Sequence, residues 1–478
     1  SVFMMRITTA ICLQARASRP MQIHGVAMHK GICLNSVRVV MANASTRQHN
    51  QRHAILCRSV PVDLDLDAML DNIDMPDIDG DLRSVQAELG ARFNDQGVVL
   101  TYGNPRQAVA AIESGVVLVD QSHWGRLRIA GEDRLSFLQN CSTNDFTQMH
   151  AGQGCDTVFV NSNGRVLDLG TTLFNESSLL LLTSPGGKQL IQQHLQQQIK
   201  PDDKVKVQDI TDRCVMLTLI GPEAKNVLQE VAGETITVTG QPYGTHQLVQ
   251  FKSGPLIVAV GSSLTVPGYT LIVDESSGGD LFALLTSKGC VLMGEDEWEI
   301  TRVLAGRPAL GAELTGAETP IEAGLGHAVS LRKVGQVTSA PDRQQLWGLS
   351  LDSAVGVGEA VQAVDGTPLG TVTSTATTPT GTHWALTYLP PLQHLEGLSV
   401  TVGGVRGRVV SIPFATRQSA DSLPDGFSGP GAQDKLRQIQ LEGEAAAAAM
   451  EATAIAKVAD LRAMKERWQA QQAKLQKQ

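Results

Sequence analysis

The chain predicts an α+β protein: a mixed α/β module with antiparallel sheets, then a small β-barrel, then a long terminal helix. Three observations predict it. Short apolar strands alternate with helical stretches from about Gly97 to Arg307. Beyond Gln345 the texture changes to Gly-, Thr- and Val-rich segments at regular spacing, the pattern of a small barrel. From Gln433 to Gln478 the residues are mostly Ala, Glu, Lys and Gln, which favour one long helix.

The elements follow in order. Gly115–Asp120 and Arg126–Ile129 read as short strands around the polar turn Gln121–Gly125, and Glu132–Gln139 as a helix with Leu135 and Leu138 on one face. Asp156–Asn161 and Arg165–Phe174 are strands, with Asn163-Gly164 between them as a hairpin signal. Leu179–Thr183 is a strand, Gly187–Ile199 a helix, and Val205–Ile210 and Val215–Ile220 strands. Pro222 suits the first turn of a helix Pro222–Val231. His246–Phe251, Leu256–Val260 and Tyr269–Val273 form one antiparallel sheet, and Asp280–Ser287 and Glu295–Ala305 are helices. The barrel strands are Leu346–Leu351, Thr367–Ser374, His383–Tyr388, Ser399–Val402 and Arg408–Ile412. Residues 418–432 are a Gly/Pro/Ser/Asp linker, and the terminal helix carries Val458, Leu461, Met464 and Trp468 at helical spacing, a face for docking a partner.

Charge divides the amino-terminal region. Residues 1–62 hold no Asp or Glu but carry Arg6, Arg16, Arg19, Lys30, Arg38, Arg47, Arg52 and Arg58, the composition of an organelle transit peptide. Acidity starts at Asp63, and residues 63–96 read as an acidic leader or linker. A net charge of −9 argues against a general nucleic-acid binder, which needs a basic surface. There is no apolar run of eighteen residues, so no transmembrane helix is expected. Cys141, Cys155, Cys214 and Cys290 are widely spaced with no C-x-x-C pair, so each reads as a small buried hydrophobe and no metal site is expected. No G-x-S-x-G, H-E-x-x-H or Walker loop occurs; Ser184-Pro185-Gly186-Gly187-Lys188 lacks the first glycine and the hydroxyl residue of a phosphate loop.

Five stretches carry a family resemblance. VLVDQSHWGRLRIAG (117–131) with EDRLSFLQNCSTNDF, GQGCDTVFVNSNGRVLD (152–168), PGYTLIV (267–273), EWEITRVLAG (297–306) and TPIEAGLGHAVSLRK (319–333) resemble, in order, segments of the glycine-cleavage T-protein superfamily. QLWGLSL (345–351) is similar to the opening strand of its carboxy-terminal barrel. The pattern is nearest to the YgfZ-type branch, which supports iron–sulfur assembly. The resemblance implies a two-lobed folate-binding, aminomethyltransferase-like domain at 97–335 with a barrel at 340–417, and tetrahydrofolate as its cofactor. It implies a functional aspartate at Asp168, which is both the catalytic and a folate-binding candidate. Asn144, Asp145, Tyr269 and Arg302 are the other candidates for lining the folate site. Physically, a reduced pterin needs a carboxylate at its guanidine-like edge, apolar walls, and basic groups for its glutamate tail.

One departure stands out. The branch places a Lys-Gly-Cys-Tyr-x-Gly-Gln-Glu motif where this chain has Lys333-Val334-Gly335-Gln336-Val337, so the thiol of that motif is missing. Gly326 stands where the family has Trp, and Leu304 where it has an acidic residue. A shortened gene model, a diverged folate binder or a decayed protein would each produce this pattern. The expected function is folate-dependent support of iron–sulfur proteins or their assembly factors in the chloroplast, with the mitochondrion as the alternative compartment. Aminomethyl transfer from a lipoyl protein to tetrahydrofolate is the alternative activity.

Overall fold

The computed structural model describes residues 57–59, 81–232, 235–252, 254–330, 333, 344–391 and 395–413. The rest of the leader, the segment Val334–Val337, the linker 418–432 and the terminal helix lie outside the described residues. In chain order the strands and helices begin with β1 (Cys57–Ser59), α1 (Leu82–Glu88), β2 (Arg92–Phe93), β3 (Val99–Thr101), α2 (Pro105–Ser114), β4 (Val117–Asp120) and β5 (Gly125–Ala130). They continue with α3 (Arg134–Cys141), β6 (Gln153–Val160), β7 (Val166–Phe174), β8 (Ser178–Thr183), α4 (Lys188–Gln198), β9 (Lys206–Asp209), β10 (Cys214–Ile220) and α5 (Ala224–Ala232). Then come β11 (His246–Phe251), β12 (Gly254–Val260), β13 (Gly268–Asp274), α6 (Glu275–Ser287), β14 (Val291–Met293) and α7 (Glu295–Ala305). The barrel strands are β15 (Gln345–Leu351), β16 (Ala360–Ala363), β17 (Pro368–Thr377), β18 (His383–Leu389), β19 (Ser399–Val402) and β20 (Val405–Val410).

Two sheets face each other. One has seven strands in the order β1-β11-β12-β13-β10-β4-β14, antiparallel except where β14 lies parallel to β4. The other has five in the order β6-β7-β8-β5-β9, all antiparallel. The period-2 alternation of strands separates the faces. Leu217, Leu219, Leu271 and Val273 pack under α5 and α6, while Met216, Ile220 and Ile272 join Leu173, Leu180 and Leu182 in the layer between the sheets. On the outer side of the five-stranded sheet, Leu127, Ile129, Phe159, Leu179 and Leu181 pack under Phe137, Leu138, Ile191 and Leu195 of α3 and α4. The antiparallel β11-β12-β13 unit, the Asn163-Gly164 hairpin and helix α7 all stand where the sequence predicts them.

Several elements differ from expectation. Leu82–Phe93, read as linker, is folded: Leu82 packs in the core beneath α6 and β2 pairs with β3. Helix α6 starts at Glu275, five residues early, because Asp274 caps it by accepting from the Ser277 N–H at 3.1 Å. Gly278, a poor helix former, is tolerated there because a Cβ would lie 2.4 Å from Val215 Cγ2; the missing side chain lets α6 lie close on β10. Helix α5 begins two residues after Pro222. The closed barrel has six strands, β15-β18-β17-β16-β19-β20; the sixth, β16, is too short to show alternation.

Gly244, in the loop before β11, lies against Gly154 of β6. Gly244 has φ +81°, and a Cβ on it would stand 1.9 Å from the carbonyl oxygen of Gly154 in β6. That space exists only for hydrogen, so Gly244→Ala is expected to destabilise the protein by about 2–4 kcal/mol, through both the left-handed backbone and the clash. The urea midpoint measures this; a shift under about 0.5 kcal/mol would show that the two lobes do not depend on this approach.

Candidate functional site

The structure sends the sequence candidates to different places. Arg302 on α7 is buried and spends all five guanidinium N–H groups within the protein. Nε and Nη2 donate to Glu299, Nη1 to the Arg307 carbonyl (2.7 Å) and to Glu313 Oε2 (3.0 Å), and Nη2 to Ser374 Oγ (2.8 Å). Glu313 in turn accepts from Ala309 N–H, Thr373 and Ser374. Arg302 therefore fastens α7 to barrel strand β17 and has no donor left for a folate tail. Tyr269 also lies elsewhere: alternation along β13 puts it with Leu271 and Val273 on the helix-covered side, where burial pushes its hydroxyl pKa up.

Asn144 and Asp145 organise the loop after α3. Asn144 Nδ2 donates to the Asp156 carbonyl at 2.6 Å, and its Oδ1 accepts the Asp145 N–H at 2.8 Å. Asp145 Oδ1 accepts from Thr147 N–H and Oγ1, and from Gln139. Lys333 completes this loop by donating to the carbonyls of Gln139, Ser142 and Asn144, the open carbonyl end of α3. Both residues thus hold the turn after α3.

Asp168 is fully buried on β7, against the first turn of α4: a Cβ on Gly187 would sit 2.3 Å from its Oδ2. It accepts N–H groups from Leu169 (2.8 Å) and Ser184 (3.0 Å). Burial pushes its carboxyl up to about 6, opposed by those bonds and by Arg307. Its side chain faces α4 rather than the other sheet, so the structure does not place it among the groups of the layer between the sheets.

That layer holds a different set of polar groups. At its centre is Arg126, fully buried, which the sequence reading passed over. Its partners are carbonyl oxygens and a thiol: Trp124 O (2.8 Å), Ser122 O (2.9 Å), Thr211 O (2.5 Å), Cys214 O (2.9 Å) and Cys214 Sγ (3.2 Å). This cation clamps the Gln121–Trp124 turn onto the start of β10. The buried Trp124 ring is crossed edge-on by Trp298 at 6.0 Å and covered by the Arg307 guanidinium at 4.8 Å. The Trp124 indole N–H and the Gln121 carboxamide N–H are buried there without a hydrogen-bond partner. Buried polar groups are normally satisfied, by protein or by water, so these two donors are open to an acceptor.

A carboxylate faces the same layer farther along. Asp156 on β6 pairs in register with Thr171 on β7; its Oδ1 accepts from Thr171 Oγ1 and Tyr243 OH, each at 2.6 Å, and its Oδ2 lies 3.4 Å from His327 Nε2. The Gly154–Gly244 approach brings Tyr243 to this carboxylate. Ala323, Leu325 and Ala328, around His327, close over Val158 and Leu169. At the rim, His123 Nε2 lies 3.5 Å from Glu295, whose carboxyl is pushed up to about 7 by burial and by Glu299. The same layer holds a cavity of about 30 Å³ between Arg128, Ser178, Leu180, Ile257, Ile272 and Asp274. No group of three metal-ligating side chains occurs among the described residues.

Comparison with known proteins agrees with this architecture. Residues 87–333 match the family model described as the GCVT N-terminal domain. A chloroplastic protein of Arabidopsis thaliana, named as a candidate transferase, is 35% identical over 73% of this chain and 82% of its own length. An aminomethyltransferase of Prochlorococcus marinus (strain MIT 9303) is 29% identical over 65% of this chain and 89% of its length. The crystal structure of the glycine cleavage system aminomethyltransferase T from Bartonella henselae covers 70% of this chain and 97% of its own at a TM-score of 0.63, with 20% identity, and so shows the same fold. Two facing sheets, a closed barrel and a buried polar layer define an aminomethyltransferase-like T-protein. The chain belongs to the GCVT family, whose members bind tetrahydrofolate.

Two outcomes follow from these assignments. Arg302→Met strands buried Glu313 and is expected to cost about 3–5 kcal/mol by chemical denaturation while leaving ligand affinity unchanged; a selective loss of affinity would return Arg302 to the site. Asp168 is ionised more readily unfolded than folded, so stability should fall as pH rises from about 4 to 6, by up to about 3 kcal/mol, and level off above. Asp168→Asn should remove that slope from a series of denaturation curves; an unaltered slope assigns it to another group.

Proposed function

We propose that the chain binds tetrahydrofolate in the layer between its sheets and, as a YgfZ-type member of the family, supports iron–sulfur assembly or repair in the plastid. One observation carries the binding site: buried donors on Gln121 and Trp124 without protein acceptors, in the same layer as the Asp156 carboxylate. Apolar Leu173, Leu182 and Ile220 supply walls for a ring. These residue types match what a reduced pterin needs. Tetrahydrofolate, when bound, supplies nitrogens able to carry a one-carbon unit. The chain's own groups bind and orient it: Asp156, held by Thr171 and Tyr243, would meet the donor edge of the ring, and Trp124, Trp298 and Arg307 would shut out water.

Among the described residues, Cys141, Cys214 and Cys290 do not favour a thiolate-based activity. Burial pushes Cys141 up to about 11 and Cys290 up to about 12, and raises Cys214 as well, so none is a ready thiolate. This favours a folate-holding role. The chloroplastic relative in Arabidopsis thaliana favours the plastid. The bacterial relatives named aminomethyltransferases support a second reading, transfer of a methylene unit from an aminomethyl-lipoyl protein to tetrahydrofolate.

Calorimetric titration with tetrahydrofolate tests the proposal. Saturable binding is expected, and Asp156→Asn should weaken it about tenfold or more at unchanged fold, since each lost charge-assisted hydrogen bond is worth about 1.5–3 kcal/mol. No binding by the wild type would reject the folate reading. Folate-dependent release of methylene from loaded lipoyl protein would move the assignment to the second reading.

A further inference from the structure

We propose that the indole N–H of Trp124 and the carboxamide N–H of Gln121 are the donor pair that receives the carbonyl edge of the ligand, which for tetrahydrofolate is the 4-oxo group of the pterin. The inference rests on the folate reading above and names the groups that set its selectivity. An indole N–H can only donate, and that of Trp124 is unpartnered although the residue is 4% exposed. Gln121 is 1% exposed; its Oε1 is taken by the Thr218 hydroxyl at 2.6 Å, which turns its unpartnered N–H groups away from β10's Thr218. Two buried donors three residues apart in one turn select for a ligand atom that accepts.

The turn is held rigidly enough to make that selection. Gln121 N–H donates to Met216 O (2.8 Å), Trp124 N–H to Gln121 O (2.9 Å), and Met216 N–H to Ser122 Oγ (3.1 Å). Arg126 fastens the Ser122 and Trp124 carbonyls from below, and Trp298 and Arg307 fix the indole plane. The Thr218 bond orients the Gln121 carboxamide and the ring contacts orient the indole, so a ligand that offers a donor in place of the carbonyl meets like against like.

Equilibrium binding of tetrahydrofolate and of its 4-amino analogue, to the full chain, tests this. Wild type is expected to prefer the 4-oxo compound by about tenfold to a hundredfold, the scale of one buried donor left unmade. Gln121→Glu keeps the acceptor for Thr218 but replaces the donor by a carboxylate oxygen, and should invert the preference. Trp124→Phe keeps a ring for Arg307 and Trp298 and should narrow it. Should Gln121→Glu fail to fold, the wild-type comparison and Trp124→Phe decide. Equal affinities for both compounds in the wild type, or a folded Gln121→Glu with wild-type preference, overturns the donor pair while the folate reading stands. Wild type that binds neither compound overturns both.

Discussion

Arg126 is the contact on which the rest of the site depends. It is a cation with no exposure, and the groups around it are carbonyl oxygens of Ser122, Trp124, Thr211 and Cys214. Charge-assisted bonds of this kind are each worth about 1.5–3 kcal/mol, and only a full set offsets the several kcal/mol needed to take a guanidinium out of water. The backbone must therefore present all of these carbonyls together. That demand fixes the entry to β5, the single turn of 3-10 helix at Thr211–Arg213 and the start of β10 relative to one another. It joins the five-stranded sheet to the seven-stranded one and sets where Gln121 and Trp124 point.

A second buried charge network sets the position of the barrel. Arg302 and Glu313 satisfy one another and reach Ser374 and Thr373 on β17, and the Tyr388 hydroxyl donates to the Glu313 carbonyl at 2.9 Å. Every donor of the arginine has an acceptor, which is the condition under which a buried ion pair is tolerated. The barrel is thereby a fixed wall beside α7. Asp168 plays the corresponding part on the outer side of the five-stranded sheet, where it gathers the N–H groups of Leu169 and Ser184 and holds the turn into α4.

Much of the fold was legible in the residues. Strands such as Val215–Ile220 and Tyr269–Val273 show apolar runs of strand length, Asn163-Gly164 marks its hairpin, and α7 begins after a glycine and ends at Gly306 in the left-handed conformation. The misses have physical causes. Leu82–Glu88 is short and lies just past an acid-rich stretch, so its hydrophobic stripe is only Leu82 and Val85. The strand β16 is four residues long and its pairing, not its pattern, defines it.

The site was less legible than the fold. Arg302, Asn144 and Asp145 carry the right chemistry for a ligand, but partners within the fold, on barrel strand β17 for Arg302 and in the loop itself and β6 for the other two, take up their hydrogen bonds, and a sequence does not show which groups are already spent. Conversely Arg126, Asp156 and Tyr243 look like ordinary strand and loop residues until the sheets are stacked. The sequence by itself determined the α+β class, the order of the elements, the barrel and the membership of the T-protein superfamily, because these rest on local periodicity and on motifs contiguous along the chain. Only the tertiary structure decided which side each strand residue faces, that Asp168 looks toward α4 while Asp156 looks between the sheets, and that two donors of one turn are left without acceptors. Those facts come from stacking one sheet on another, and no local pattern encodes them.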